Sequence, residues 1–424
     1  MSAAQIENCS VRDVRCCHVS RAPVGFASMA HHERQFELFD GGPGTPVPGA
    51  PAPAAKAPAV ETPDYLRRQL VTYIGNKRTL LPLIGEAVSV VRRRLGGRCL
   101  RLFDAFSGSG VVSRFLKAHA SFLAANDIER YAAVLSRCYL RNRSSVDQEA
   151  LEGLVRELNE TVMETRFPVG FIEELYAPRD EERITAEDRV FYTRENARRL
   201  DNYRRLIARA PEDYRELLLG PLLGKASVHA NTAGVFKGFY KDRHTKVGQF
   251  GGSGRDALSR IRGTITLEPP VLSNFECDVE VLQADANTVA SGLRDLDLAY
   301  FDPPYNQHPY GSNYFMLNLL VSYERPESMS RVSGIPADWQ RSDYNVRERS
   351  LPRLWELLEQ TDARFLLVSF NDEGFIAPDE MRAMLDSLGR VEAYETLYNA
   401  FRGSRSFANR SVHVTEHLFL VERA

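Results

Sequence analysis

The chain has 424 residues, with 54 Lys and Arg against 56 Asp and Glu and a formal net charge of -2. That length exceeds one typical domain and leaves ample chain to bury a large core. The charge balance excludes a globally basic nucleic-acid binder, so any such partner must be met by a local patch.

Three of the six cysteines, Cys9, Cys16 and Cys17, crowd at the start and the rest are scattered, which is no disulfide framework and fits a reducing interior. The row CSVRDVRCCH matches no zinc-ligand spacing, so no metal is expected. No apolar run approaches the roughly 18 to 20 residues of a membrane helix, and the first thirty residues lack a continuous apolar core of secretory type. A cytoplasmic protein without a membrane partner is expected. The segment MAHHERQFELF from Met29 is either a short binding segment or the translational start. From Gly41 to Pro63, 7 Pro, 6 Ala and 4 Gly fill most of 23 positions and offer little to bury, so residues 1–63 read as a tail ending in a flexible linker.

Beyond Pro63, apolar runs of strand length alternate with charged helical stretches, the pattern of an α/β fold with a mainly parallel, doubly wound sheet. CLRLFDAF, SFLAAND, LDLAYFD, FLLVSF and the final HLFLVE are the predicted strands. VVSRFLKAHA, ERYAAVLSRCYLRN, QEALEGLVRELNETVME, ENARRLDNYRRLIARA and DEMRAMLDSLG carry apolar residues at spacings of three and four and are the predicted helices. A less regular middle, 166–274, separates 64–165 from 275–424.

Upstream, YIGNKRTLLPLI places Tyr73, Gly75 and Lys77 just before a helical run, and Lys77 is either a partner for a ligand carboxylate or a solvated residue. LRLFDAF then runs into Ser107-Gly108-Ser109-Gly110 and a helix. Glycine lets backbone pass close to a ligand and the helix start offers unpaired N–H groups, which suits a nucleotide-like cofactor. The third glycine of the dinucleotide fingerprint is missing, which weakens a nicotinamide reading, and a plain turn stays open. Asp127 follows Gly110 by 17 residues, at the end of the next strand. There a carboxylate either accepts both ribose hydroxyl hydrogens or caps a helix. Asp285, in VLQADANTVA, either meets an exocyclic amine on an adenine ring or caps ANTVASGL.

FDPPYNQHPYGSNYF, 301–315, places a carboxylate before two prolines and a tyrosine at the end of an apolar run. Proline fixes its own φ and biases the residue before it towards an extended conformation, so Asp302 is held stiffly. Asp302 and the Pro303 carbonyl provide two acceptors for a planar amine, and Tyr305 provides a face for its ring. An aromatic amine is a poor nucleophile because its lone pair is delocalised. Two acceptors that favour a tetrahedral nitrogen concentrate that lone pair for in-line attack on a methyl group.

YIGNK at 73–77, FSGSG at 106–110 and DPPY at 302–305, in this order, resemble the D12 class of DNA adenine N6-methyltransferases, which use S-adenosylmethionine. The resemblance covers roughly 65–424, takes in SFNDEG and the terminal HLFLV less specifically, and departs at Ala105, where members often carry proline. It implies a Rossmann-like methyltransferase fold with a target-recognition insertion. It further implies that Tyr73, Lys77, Asp104, Phe106, Gly108, Gly110, Asp127 and Asp285 surround the cofactor, while Asp302, Pro303 and Tyr305 grip the target adenine. The methylated amine is acidic enough to release its proton to solvent, so Asp302 need not be a strong base.

A base inside a duplex cannot present its amine to a pocket and must be flipped out, at a cost of a few kcal/mol. Between Lys225 and Arg262, eight basic side chains face two acidic ones, with Phe236, Phe239 and Tyr240 interleaved. Asn231, Lys237, Lys241, Arg243 and Lys246 are expected to contact double-stranded DNA, joined by Arg402 and Arg405 in FRGSRSFANR. The expectation is a monomeric, site-specific duplex-DNA adenine N6-methyltransferase, partnered by a restriction endonuclease acting on the same site. The same grip serves cytosine N4, RNA adenine or a protein amide nitrogen, and a non-catalytic DNA-binding relative is the other class left open.

Overall fold

The computed structural model describes residues 60–68, 70–252, 257–372, 374–399 and 413–423. Residues 1–59, Arg255, Arg402 and Arg405, with what the sequence suggested for them, lie outside these. Glu61 accepts hydrogen bonds from the Asn274 amide and the Ser273 hydroxyl, so Val60–Pro63 packs with the folded chain and does not belong with the tail.

Among the described residues, seven strands form one sheet: β1 Leu100–Asp104, β2 Ala120–Asn126, β3 Asp278–Leu282, β4 Leu296–Phe301, β5 Ala363–Asn371, β6 Arg390–Asn399 and β7 His413–Glu422. Their order is β3-β2-β1-β4-β5-β7-β6. The pairs from β3 through β5 are parallel, and β7 inserts antiparallel between β5 and β6. This is the doubly wound, mainly parallel sheet expected. From β1 the chain steps outward to β2 and β3, and from β4 it steps the other way. The crevice beyond the C-terminal ends of β1 and β4 is therefore the switch point where ligands bind in such sheets.

Helices cover both faces, so the central strands carry apolar side chains at successive positions. β4, LDLAYF, is buried throughout. Leu102, Leu298 and Leu367 pack with Ile84 and Val88 on one face. Phe103, Ala299 and Leu366 pack with Leu354 and Leu385 on the other. β6 was not legible as a strand because RVEAYETLYN mixes Arg390, Glu392 and Glu395 with its apolar residues, as an edge strand does. The helix expected over VVSRFLKAHA ends at Lys117, because Ala120 already pairs with Leu100 at the start of β2.

The middle of the chain is more regular than expected. Thr193 caps a helix at Arg194–Arg209, its hydroxyl accepting from the Asn196 amide. A second helix, Glu212–Val228, was hidden by Gly220, Pro221 and Gly224. Those glycines permit close approach: a Cβ on Gly220 would lie 2.6 Å from Cys138 Sγ, and one on Gly224 2.9 Å from the Leu70 carbonyl. These helices share one core with Gln148–Glu164, Arg130–Tyr139 and Phe315–Ser322. Cys99, Cys138 and Cys277 are buried and not disulfide-bonded. Among the described residues no helix is long and apolar enough to cross a membrane.

Candidate active site

β1 ends at Asp104, beneath the switch-point crevice, and the chain turns through Ser107–Gly110 into the short helix Val111–Lys117. Gly108 and Gly110 hold φ of 50° and 74°, a region L side chains rarely adopt. A Cβ on Gly108 would also lie 2.9 Å from Tyr73 Oη. The Gly110 amide closes the turn on the Ser107 carbonyl at 2.7 Å. Asp127 ties the turn to β2: its Oδ2 accepts from the Gly108 amide at 2.8 Å and its Oδ1 from the Glu129 amide at 2.9 Å.

Asp104 is fully buried. Ser113 Oγ donates to its Oδ2 at 2.5 Å, while Oδ1 has no hydrogen-bond partner. Burial pushes the Asp104 carboxyl up to about 7 despite the Ser113 bond. Asp285 caps the helix Ala286–Ala290 and pairs with Arg353 at 2.9 Å. These contacts all fall on Oδ1. The capping alternative therefore holds, and none of these contacts falls on Oδ2.

β4 delivers Asp302 beside Lys77, which sits in a turn started by Asn76, whose side chain accepts from the Arg78 amide. Lys77 is only 3% exposed, and its Nζ lies 3.2 Å from Asp302 Oδ1 and 3.1 Å from Glu416 Oε2. The Asp302 contact is poorly directed for a hydrogen bond, so it is an ion pair held by charge. Burial opposes the Lys77 charge, but Asp302, Tyr305 and Glu416 outweigh it and hold the ammonium protonated. Asp302 is raised to about 6 by burial, which Lys77 opposes and Glu416 reinforces. Lys77 is thus neither solvated nor left open for a ligand carboxylate, since two protein carboxylates already occupy it.

A cleft of about 660 Å3, counted to its open mouth, lies over these strand ends. Tyr73, Phe106, Gly108, Asp127, Asp285 and Asp302 line it; Lys77, Asp104, Gly110 and Pro303 do not. Tyr305 does not line it either. Its ring meets Phe370 edge-on at 5.6 Å and lies 5.5 Å from Lys77 Nζ, in a closely filled recess that Pro303 also lines. Tyr73 stacks on Tyr310 at 5.1 Å and Tyr314 at 4.9 Å, and so joins the Lys77 loop to the segment after Tyr305.

Four contributors escaped sequence reasoning. Glu129 lines the cleft, accepts from Asn318 Nδ2 at 2.6 Å, and is raised by burial to about 8. Its position two residues after Asp127 was the available signal. Tyr310 and Tyr344 also line the cleft, Tyr344 meeting Phe106 edge-to-face at 5.2 Å. Glu416 reaches the site across the β5–β7 pairing, which no local pattern announces.

The basic segment divides into two kinds of residue. Residues 240–249 fold back on themselves, with the Gln249 amide bonded to the Tyr240 carbonyl and the Asp242 amide to the Val247 carbonyl. Lys237, Arg243 and Lys246 are exposed, Lys246 at a φ of 61°. Lys241 is half-buried with Nζ over the Phe239 ring. Asn231 faces inward, which corrects its expected role in DNA reading: it is fully buried, donates to the Val190 and Gln249 carbonyls, and accepts from the Gly251 amide. Phe236 is likewise a core side chain, packed against Phe191 and Phe315. Lys225 pairs with Glu268, and Arg260 donates to the Val228 and Ala230 carbonyls.

A parallel sheet with its switch-point cleft, a glycine turn on one strand end and Asp-Pro-Pro-Tyr on the next define a Rossmann-like methyltransferase fold. The family model for the D12 class N6 adenine-specific DNA methyltransferase matches residues 73–384. The chain belongs to this family and is an adenine-specific DNA methyltransferase. It is 27% identical over 366 residues to Type II methyltransferase M.NlaIII of Neisseria lactamica, covering 83% of this chain and 99% of that protein. It is 26% identical to Type II methyltransferase M.CviAII of Paramecium bursaria Chlorella virus 1, over 83% and 98% of the two chains. Against Type II methyltransferase M.FokI of Planomicrobium okeanokoites the identity is 24%, over 83% of this chain and 52% of that one. The family decides the acceptor that the residues alone left open: adenine N6 in DNA.

Proposed function

We propose that this chain transfers a methyl group from S-adenosylmethionine to the N6 amine of an adenine flipped out of duplex DNA. The adenine lies within one short sequence, and the chain is the modification half of a restriction-modification pair. The observation that carries this reading is the placement of Asp302, on a proline-stiffened loop and paired with buried Lys77, in the same cleft as the glycine turn.

The cleft suits a positively charged methyl donor. Asp127, Asp285 and Asp302 line it, and Asp104 keeps one buried oxygen without a partner. All four of Asp127, Asp285, Phe106 and Tyr344 line this cleft; in this reading Asp127 accepts from the ribose hydroxyls, Asp285 from the adenine amine, and Phe106 and Tyr344 flank the flat base. When bound, S-adenosylmethionine supplies a methyl on a positively charged sulfur, whose bond electrons return to sulfur as the methyl leaves. Asp302 and the Pro303 carbonyl accept from the target amine and turn its lone pair towards that methyl. Tyr305 is the aromatic side chain of the tetrapeptide offered to the flipped base, and in the ligand-free chain it packs against Phe370 beside Lys77. As methyl transfer places positive charge on the nitrogen, the Asp302 carboxylate stabilises it, and the nitrogen then sheds a proton to solvent.

Residues 166–274 serve as the target-recognition region inserted into a catalytic domain formed by 64–165 and 275–424. Lys237, Lys241, Arg243 and Lys246 meet phosphates there, which fixes register on the duplex without reading sequence. Arg402 and Arg405 join them. Cytoplasm is the compartment where this substrate is met, and the chain works as a monomer.

The test maps modified bases in DNA from a methylation-deficient bacterial host expressing this chain, beside a host expressing Asp302→Ala. N6-methyladenine in one short motif, absent with the variant, is the expected result. Modified bases scattered without a motif would refute site specificity, and persistent modification in the variant would refute the role of Asp302.

A further inference from the structure

Lys77 is a buried cation with two carboxylates on it, half-buried Asp302 and buried Glu416, and the methyl-transfer chemistry accounts for only the first. Glu416 is 3% exposed, and its Oε2 accepts from Lys77 Nζ at 3.1 Å. Its Oε1 accepts from Asn371 Nδ2 at 3.2 Å, across the register in which Asn371 of β5 faces Glu416 of β7. Glu416 is therefore anchored to the sheet. It also lies beyond residue 384, where the family match ends.

We propose that Glu416 is a positioning residue for methyl transfer: it anchors and neutralises the Lys77 ammonium, so that Lys77 aims Asp302 without cancelling its negative charge. The inference rests on the role proposed above for Asp302. A lone ammonium 3.2 Å from Asp302 would fix the carboxylate but offset the charge that stabilises a positive nitrogen. With Glu416 present, one positive charge is shared by two negative ones. The trio keeps a net negative charge, and Asp302 is the member of it that lines the cleft. Lys77 also lies 5.5 Å from the Tyr305 ring centroid, so anchoring the ammonium steadies both the acid and the aromatic residue of Asp-Pro-Pro-Tyr.

Glu416→Gln keeps the shape and removes the charge. Its expected signature is kcat lowered roughly tenfold or more, with cofactor binding unchanged. The acid limb of the kcat profile should move to lower pH, because the repulsion that helps raise Asp302 is gone. A role in folding alone would lower thermal stability and rate without moving that limb. Glu416→Asp keeps the charge, so its acid limb stays in place while kcat falls less. Should the glutamine variant fail to fold, the aspartate variant carries the test, and an acid limb that moves although the charge is kept overturns the proposal. A wild-type kcat and acid limb in Glu416→Gln, or a slowed enzyme with an unmoved limb, also overturns it. Asp302→Ala assayed alongside separates the two readings. If that variant stays active, the proposed role of Asp302 fails; if it is inactive while Glu416→Gln behaves as wild type, only the inference about Glu416 fails.

Discussion

At the head of β4, two carboxylates lie within 3.2 Å of one ammonium, and the lysine and Glu416 are almost dry. At the tip of the 240–249 turn, Arg243 and Lys246 stand exposed with water around them. Both regions are built from ordinary charged residues, and the difference between them is solvent. A buried cluster is preorganised and hardly screened, so each member depends on the others. Exposed cations are screened beyond about 8–10 Å at moderate salt and act nearly independently. The first arrangement suits chemistry at one atom, and the second suits holding a polyanion.

The contrast can be broken from the buried side first. Asp302→Ala is expected to lower kcat by at least roughly 100-fold, with S-adenosylmethionine binding retained in calorimetry; a loss of cofactor binding of similar size would mean that Asp302 mainly builds the cleft. Lys77→Met leaves buried Glu416 and half-buried Asp302 without their counter-charge and should cost about 3–5 kcal/mol of stability, read in denaturant unfolding at pH 7.

A smaller effect sharpens the electrostatics of the cleft. Glu129 is raised by burial to about 8 and Asp127 to about 6. For such groups the folded state holds its proton more tightly than the unfolded chain. Their contribution to stability is therefore present at low pH and is lost as pH rises from the unfolded value through the folded one. For Glu129 that window runs from about 4.5 to about 8. Glu129→Gln should remove this part of the slope and leave the ligand-free protein more stable than wild type at pH 8 in thermal melts. An unchanged slope would mean that Glu129 is not held in its protonated form.

The exposed side predicts the smallest effects. Arg243→Ala and Lys246→Ala should each weaken DNA binding evenly across sequences and reduce the slope of log affinity against log salt by about 1. A sequence-dependent loss in fluorescence anisotropy titrations would assign a base-reading role instead.

Much of the fold and part of the site were legible in the sequence. The apolar runs of β1, β2, β4, β5 and β7 announce themselves because a sheet covered on both faces leaves no polar side to alternate with. β6 did not, because an edge strand carries charges. The helix Glu212–Val228 did not, because its glycines serve close packing against Cys138 and Leu70. In the site, Gly108, Asp127 and Asp302 stood out because glycine turns and proline pairs constrain backbone locally. Glu416, Tyr310 and Tyr344 did not, since their roles arise from strand order and loop packing. Asn231 misled in the other direction: an asparagine amid lysines looked like a base reader, but it is a buried bracket for three backbone groups.

The division between buried chemistry and exposed binding is tested most directly by single-turnover methylation at increasing concentrations of a duplex carrying the mapped motif. Wild type, Asp302→Ala and the double variant Arg243→Ala/Lys246→Ala are compared. The double variant should need more DNA but reach the wild-type rate at saturation, while Asp302→Ala should stay slow at every concentration. A double variant that saturates at a slow rate, or an Asp302→Ala enzyme rescued by more DNA, would contradict the separation.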